Sequence, residues 1–200
     1  IGYGALDGPD TEDDNLAIGY NALGGSIAGG EQNVAIGNYS LDALTTGDDN
    51  VAVGFNVLTA NTTGEYNTAS GYRSLYSNTT GGYNTASGYS SLYANTTGET
   101  NTASGMSSLY NNTTGSNNTA SGFGSLYNNT TGGSNTASGA ASLYNNTTGT
   151  RNIAIGYRAY DAADTENDNL AIGYDALGGA IAGGEFNVAI GNYSLDANTT

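Results

Sequence analysis

The chain has no cysteine, histidine, tryptophan or lysine, and a single proline. Without cysteine there can be no disulfide and no thiolate chemistry, although this absence leaves the compartment open. Without histidine or cysteine no Ser–His–Asp or Cys–His arrangement can be built. Without lysine a Ser–Lys pair fails, and GGSIAGG (24–30) cannot act as a phosphate-binding loop. The sequence therefore predicts no enzyme. Three arginines, Arg73, Arg151 and Arg158, face 18 acidic residues, for a net charge of −15. Nothing here could neutralise a run of phosphates or an anionic bilayer, so the expectation is no nucleic acid and no membrane-surface partner. No apolar run approaches the ~20 residues of a membrane-spanning helix, so no membrane insertion is expected.

What the chain does have is repetition. NTASGYRSLYSNTTG (67–81) returns as NTASGYSSLYANTTG (84–98), and then again. One asparagine sets the phase: Asn15, Asn33, Asn50, Asn67, Asn84, Asn101, Asn118, Asn135, Asn152, Asn169 and Asn187, spaced by 17 residues with 18 at the first and last steps. Alanine follows two positions later and glycine four later. Eight later comes leucine, at Leu23, Leu41, Leu58, Leu75, Leu92, Leu109, Leu126, Leu143, Leu177 and Leu195, with Tyr160 as the exception.

A longer period lies over the short one. Residues 1–46 match 155–200 at 37 of 46 positions, an offset of 154. The chain reads as one continuous unit over 1–200, a window from a longer protein built of nine-coil modules.

The repeat is too short for a helix pair and too rich in Gly, Thr, Ser and Asn to be helical. In NLAIGY, Leu16, Ile18 and Tyr20 alternate with Ala17 and Gly19, the period of a strand. A second short strand is expected around the leucine, and NTTG is a turn. Two short strands and two turns make one coil of an all-β parallel β-solenoid, with 11 or 12 such coils of 17–18 residues. A single coil cannot bury its own apolar face, so stacking is obligatory. Equal letters then lie one above another. The Asn column can pass amide hydrogen bonds along the axis, and the Leu column forms an apolar seam.

The residues flanking each alanine vary together. They are apolar in the coils of 1–66 and 151–200, such as Val34 with Ile36, and Thr with Ser throughout 67–150, such as Thr68 with Ser70. The expected arrangement turns these pairs inward, which gives apolar-interior coils flanking a hydroxyl-lined centre. It leaves an outer face of alanine and glycine through which copies could self-associate. The other reading turns Ala and Gly inward, and then Val34, Ile36, Val51 and Val53 need a partner chain.

QNVAIGNYS (32–40), DNLAIGYNAL (14–23), DNVAVGFN (49–56) and RNIAIGYRA (151–159) resemble the N-S-V-A-I-G repeats of the YadA-like head of trimeric autotransporter adhesins. NTASGYRSLYSNTTG is similar to related repeats in bacterial surface proteins and phage tail fibres. The resemblance implies a left-handed β-roll assembled as a trimer, located outside a cell or virion, with exposed faces that bind matrix or host surface. The expected role is thus a structural and adhesive segment of an extracellular or cell-surface fibre, working as a homo-oligomer. The alternatives are a phage tail-fibre shaft, or a binding module for ice, glycan or calcium.

Each alternative has its residues. Asp13, Asp14, Glu31, Asp48 and Asp49 stack near the phase asparagine and could recruit calcium or form a solvated acidic edge. The Asn-Thr-Thr turns at Asn61, Asn78, Asn95, Asn112, Asn129, Asn146 and Asn198 fit a glycosylation pattern, but also plain turn chemistry, which is favoured. Thr62, Thr79, Thr96, Thr113, Thr130 and Thr147 form an array that could order water. Tyr76, Tyr93, Tyr110, Tyr127 and Tyr144 could stack sugars, or simply one another.

Overall fold

A computed structural model describes residues 1–6, 14–162, 165–179 and 184–196. It is an all-β solenoid. Each phase asparagine is followed by a three-residue strand: β1 (Leu16–Ile18), β2 (Val34–Ile36), β3 (Val51–Val53), β4 (Thr68–Ser70), β5 (Thr85–Ser87), β6 (Thr102–Ser104), β7 (Thr119–Ser121), β8 (Thr136–Ser138), β9 (Ile153–Ile155), β10 (Leu170–Ile172) and β11 (Val188–Ile190). All eleven lie in one parallel sheet in chain order. The register follows the letters: Thr102 pairs with Thr119, Ala103 with Ala120 and Ser104 with Ser121.

The strands stop after three residues because the chain must turn. The glycine that follows each strand takes a φ of 119–140°, which L side chains rarely adopt. At Gly105 an added Cβ would also lie 2.7 Å from the Gly122 carbonyl oxygen of the next coil. This column is glycine for close backbone approach as well as for the corner.

Among the described residues the second strand expected around the leucine is absent, and a stack of turns stands in its place. Ser107 (φ 57°) and Leu109 (φ 50°) are left-handed, so the segment curls instead of extending. It is still hydrogen-bonded between coils. Leu109 N–H donates to Ser125 O (2.9 Å) and Asn111 N–H to Tyr127 O (3.0 Å) in the following coil. Ser107 N–H reaches back to Tyr89 O at 2.9 Å. The backbone is satisfied by stacking even where it is not a strand.

The interior is the reverse of the first reading. The alanines point inward, and Ala35, Ala52, Ala69, Ala103, Ala120, Ala137, Ala154 and Ala171 are all fully buried. They pack with the buried leucines in one continuous core. The flanking pairs point out: β4 to β7 each read exposed, buried, exposed. The described coils of 1–66 and 151–200 therefore differ from those of 67–150 in their outer face, and inside them Ala22, Val57, Ala159 and Ala176 take the place of the central buried serines and Ile27 and Leu44 that of the turn asparagine. The small-residue face proposed for self-association is the lining of the core. The reason is space. Each central layer already encloses a Leu, a Ser and two Asn, which leaves room on the strand side for a methyl group.

Candidate binding surfaces

The asparagines form two buried ladders where one was expected. In the phase column, the backbone N–H of each Asn donates to the amide oxygen of the Asn below, as Asn118 does to Asn101 Oδ1 (3.0 Å). Its own Nδ2 donates to the carbonyl of Gly132 at 2.9 Å. Asn33, Asn50, Asn67, Asn84, Asn101, Asn135 and Asn152 have no exposed surface, and Asn118 and Asn169 almost none. Asn15 and Asn187 at the ends are half-buried. The second column is the Asn of the Asn-Thr-Thr turn. Asn95 Nδ2 donates to Asn78 Oδ1 (2.7 Å) and to Gly98 O (3.0 Å). Asn112 Nδ2 in turn donates to Asn95 Oδ1 at 2.8 Å. Asn61, Asn78, Asn95, Asn112, Asn129 and Asn146 are fully buried, so these amides are core ladders and are not open to a glycan in the folded chain. Asn198 lies outside the described residues. The second ladder ends at Asn146, whose Oδ1 has no partner; 17 residues further along, the sequence has Ala163 where the repeat otherwise has asparagine.

Tyr160 sits in the leucine column, fully buried. Its hydroxyl accepts from Asn169 Nδ2 at 2.8 Å, which satisfies the polar end of a ring placed among leucines. Burial pushes its ionisation well above the ordinary tyrosine range.

The turn threonines are not a free array. Thr79 Oγ1 donates to Thr96 O, Thr96 Oγ1 to Thr113 O and Thr113 Oγ1 to Thr130 O, each at 3.0 Å. Each of these hydroxyl protons is spent on the next coil.

Tyr76, Tyr93, Tyr110, Tyr127 and Tyr144 stack at centroid spacings of 5.0–5.2 Å, within 4–5° of parallel. Each inner ring therefore covers its neighbours' faces, which removes the faces that a sugar would use. The guanidinium of Arg73 lies over both Tyr72 and Tyr76, at 5.1 and 5.7 Å from the ring centroids.

The acidic residues near the phase column do not converge. Among the described residues no three His, Cys, Asp or Glu side chains come together as a metal ion would need. Asp13 lies outside the described residues, and Asp14 and Glu31 are exposed. Asp48 Oδ1 accepts the Glu31 backbone N–H at 2.8 Å, a structural use of the carboxylate. Asp49 N–H donates to Glu31 O at 3.1 Å. Further along, Arg151 holds Asp168 through two bonds of 2.6 and 2.7 Å, and this hydrogen bonding keeps the Asp168 carboxyl below its ordinary range.

Among the described residues, two open surfaces are candidates for a partner. One is the outer face of the sheet. Leu16, Ile18, Val53, Ile153 and Ile155 are 37–46% exposed there, and Thr/Ser pairs occupy the same columns between them. The other is a trough of about 770 Å³ on a different side of the coil, lined by residues of the turn. It is built on Asn111, Asn128 and Asn145, which the sequence reading passed over. The available signal was the change from SNTT and ANTT to NNTT at these three coils.

The chain matches no protein-family model, no curated protein and no solved structure. Its ladders and register define it as a β-solenoid repeat protein.

Proposed function

We propose that the chain is a structural and adhesive segment of an extracellular or cell-surface fibre, and that its copies associate through the outer face of the sheet. The observation that carries this reading is the exposed apolar pairs. Ile153 and Ile155 (41% and 42% exposed) and Leu16 and Ile18 (46% and 37%) stand on a regular sheet face. A soluble chain rarely leaves such rows uncovered unless another surface meets them. A second copy offers the same rows in the same spacing. Because apolar coils recur after 154 residues, facing copies match when parallel and in register. A trimer, implied by the resemblance to adhesin heads, is a simple closed form of such packing.

Light scattering tests this directly. The intact chain is expected to run as a homo-oligomer. Val51→Thr, Val53→Ser, Ile153→Thr and Ile155→Ser together copy the central coils. They should raise the dissociation constant by about tenfold or more, through lost apolar burial. A chain that is monomeric at all concentrations, or an oligomer indifferent to these changes, would overturn the reading.

A further inference from the structure

The turn that follows the leucine column carries a residue whose identity the fold does not dictate. It is Ala43, Ala60, Ser77 and Ala94 in successive coils, then Asn111, Asn128 and Asn145, then Ala162. The backbone does the same work in both kinds of coil. Ala94 N–H donates to Tyr110 O at 3.0 Å, and Asn128 N–H donates to Tyr144 O at 3.0 Å. Three successive amides are therefore an addition that stacking does not require.

These amides form a ladder of their own at the surface. Asn111 Nδ2 donates to Asn128 Oδ1 (3.1 Å), Asn128 Nδ2 to Asn145 Oδ1 (3.0 Å), and Asn145 Nδ2 to Asp161 O (2.9 Å). A side-chain amide has two N–H donors and two acceptor lone pairs. The ladder uses one donor from each amide, so each keeps a second N–H, and Asn111 keeps its whole carbonyl. Beside them runs a parallel row of Thr113, Thr130 and Thr147. Thr113 and Thr130 spend their hydroxyl protons on the next coil, which leaves oxygen lone pairs and methyl groups. Together the two rows line the trough, with Ala94 and Ala162 at its ends.

We propose that this trough is a binding site for a neutral, linear glycan chain lying along the solenoid axis. Among the described residues no charged side chain lines it, so neither an anion nor a cation finds a counter-charge in that lining. An apolar ligand would desolvate the spare amide groups without replacing their hydrogen bonds. A peptide adding as a strand would need unpaired backbone, but the N–H groups of Asn111 and Thr113 are already bonded to the following coil. A chain of uncharged sugars offers hydroxyls for the amides and C–H surfaces for the methyl groups. Its repeat runs parallel to donors and acceptors spaced about 4.8 Å apart. The proposal rests on the adhesive reading above and gives it a ligand class.

The test is calorimetric titration of the intact chain with neutral hexasaccharides of β-linked glucose, xylose and mannose, and with hexagalacturonate as the anionic counterpart. At least one neutral hexasaccharide is expected to bind. Asn111→Ala, Asn128→Ala and Asn145→Ala together should weaken it about tenfold or more. The triple variant copies the alanine coils, so its melting curve should match that of the parent. Absence of heat with every neutral sugar, equal binding by the triple variant, or tighter binding of hexagalacturonate would each overturn the site. If the chain is oligomeric by light scattering yet gives no heat, only the trough fails. If it is monomeric yet binds the sugar, the trough stands and the mode of association fails.

Discussion

Asparagine is the residue on which this fold turns. A buried amide is costly unless its donors and acceptor are met, and here each copy within a ladder meets the next, up to Asn146 at the end of the turn column. Asn95 shows the arrangement, with its nitrogen bonded to Asn78 and Gly98 and its oxygen accepting from Asn112. Asn95→Ala would leave Asn78 Oδ1 and the Gly98 carbonyl without a donor from this column, and would strip one bond from Asn112. We predict a loss of about 2–3 kcal/mol in urea unfolding. The surface ladder is the control: Asn128→Ala should stay within about 0.5 kcal/mol of the parent. The phase ladder was legible from spacing, because one letter recurs without exception. The turn ladder was not, because Asn-Thr-Thr is equally good turn chemistry when it faces water. Only burial separates the two, and it depends on how much room the leucines leave.

The strands are short, and their facing is what distinguishes one coil from another. Alternation in Val-Ala-Ile establishes that the first and third residues share a side, and says nothing about which side is the core. Apolar pairs in the flanking coils made the inward choice attractive. The structure turns them outward and fills the core with Ala, Leu and Asn. The expected second strand failed for a different reason. Leucine normally avoids positive φ, so its column suggested extended backbone, yet every described member takes a φ of about 49–56°. Inter-coil hydrogen bonding holds that strain in place. The outward facing has a direct consequence. Thr102→Val with Ser104→Ile copies a flanking coil into the centre, and on an exposed face it should change stability by no more than about 0.5 kcal/mol. It should instead raise self-association, read as a larger mass in sedimentation. An interior position would show the opposite, with a higher unfolding midpoint and unchanged mass.

At the scale of the whole molecule, the chain is a rod whose surface is written coil by coil over constant columns of buried alanine and phase asparagine. Its nine-coil period sets the spacing at which apolar rows return, about 43 Å along the axis at ~4.8 Å per coil. Between those rows the Thr/Ser coils continue the sheet, and on another side three of them add the amide trough. Length, register and decoration are thus separable: stacking fixes the first two, and exposed columns carry the third. All of this requires that each 17-residue unit be one complete turn, with equal letters superposed. X-ray diffraction from an aligned preparation measures that most directly. The account predicts a meridional reflection near 4.8 Å, the rise of one coil. A pattern without it, or one dominated by the ~1.5 Å rise of an α-helix, would contradict the stacked-coil architecture.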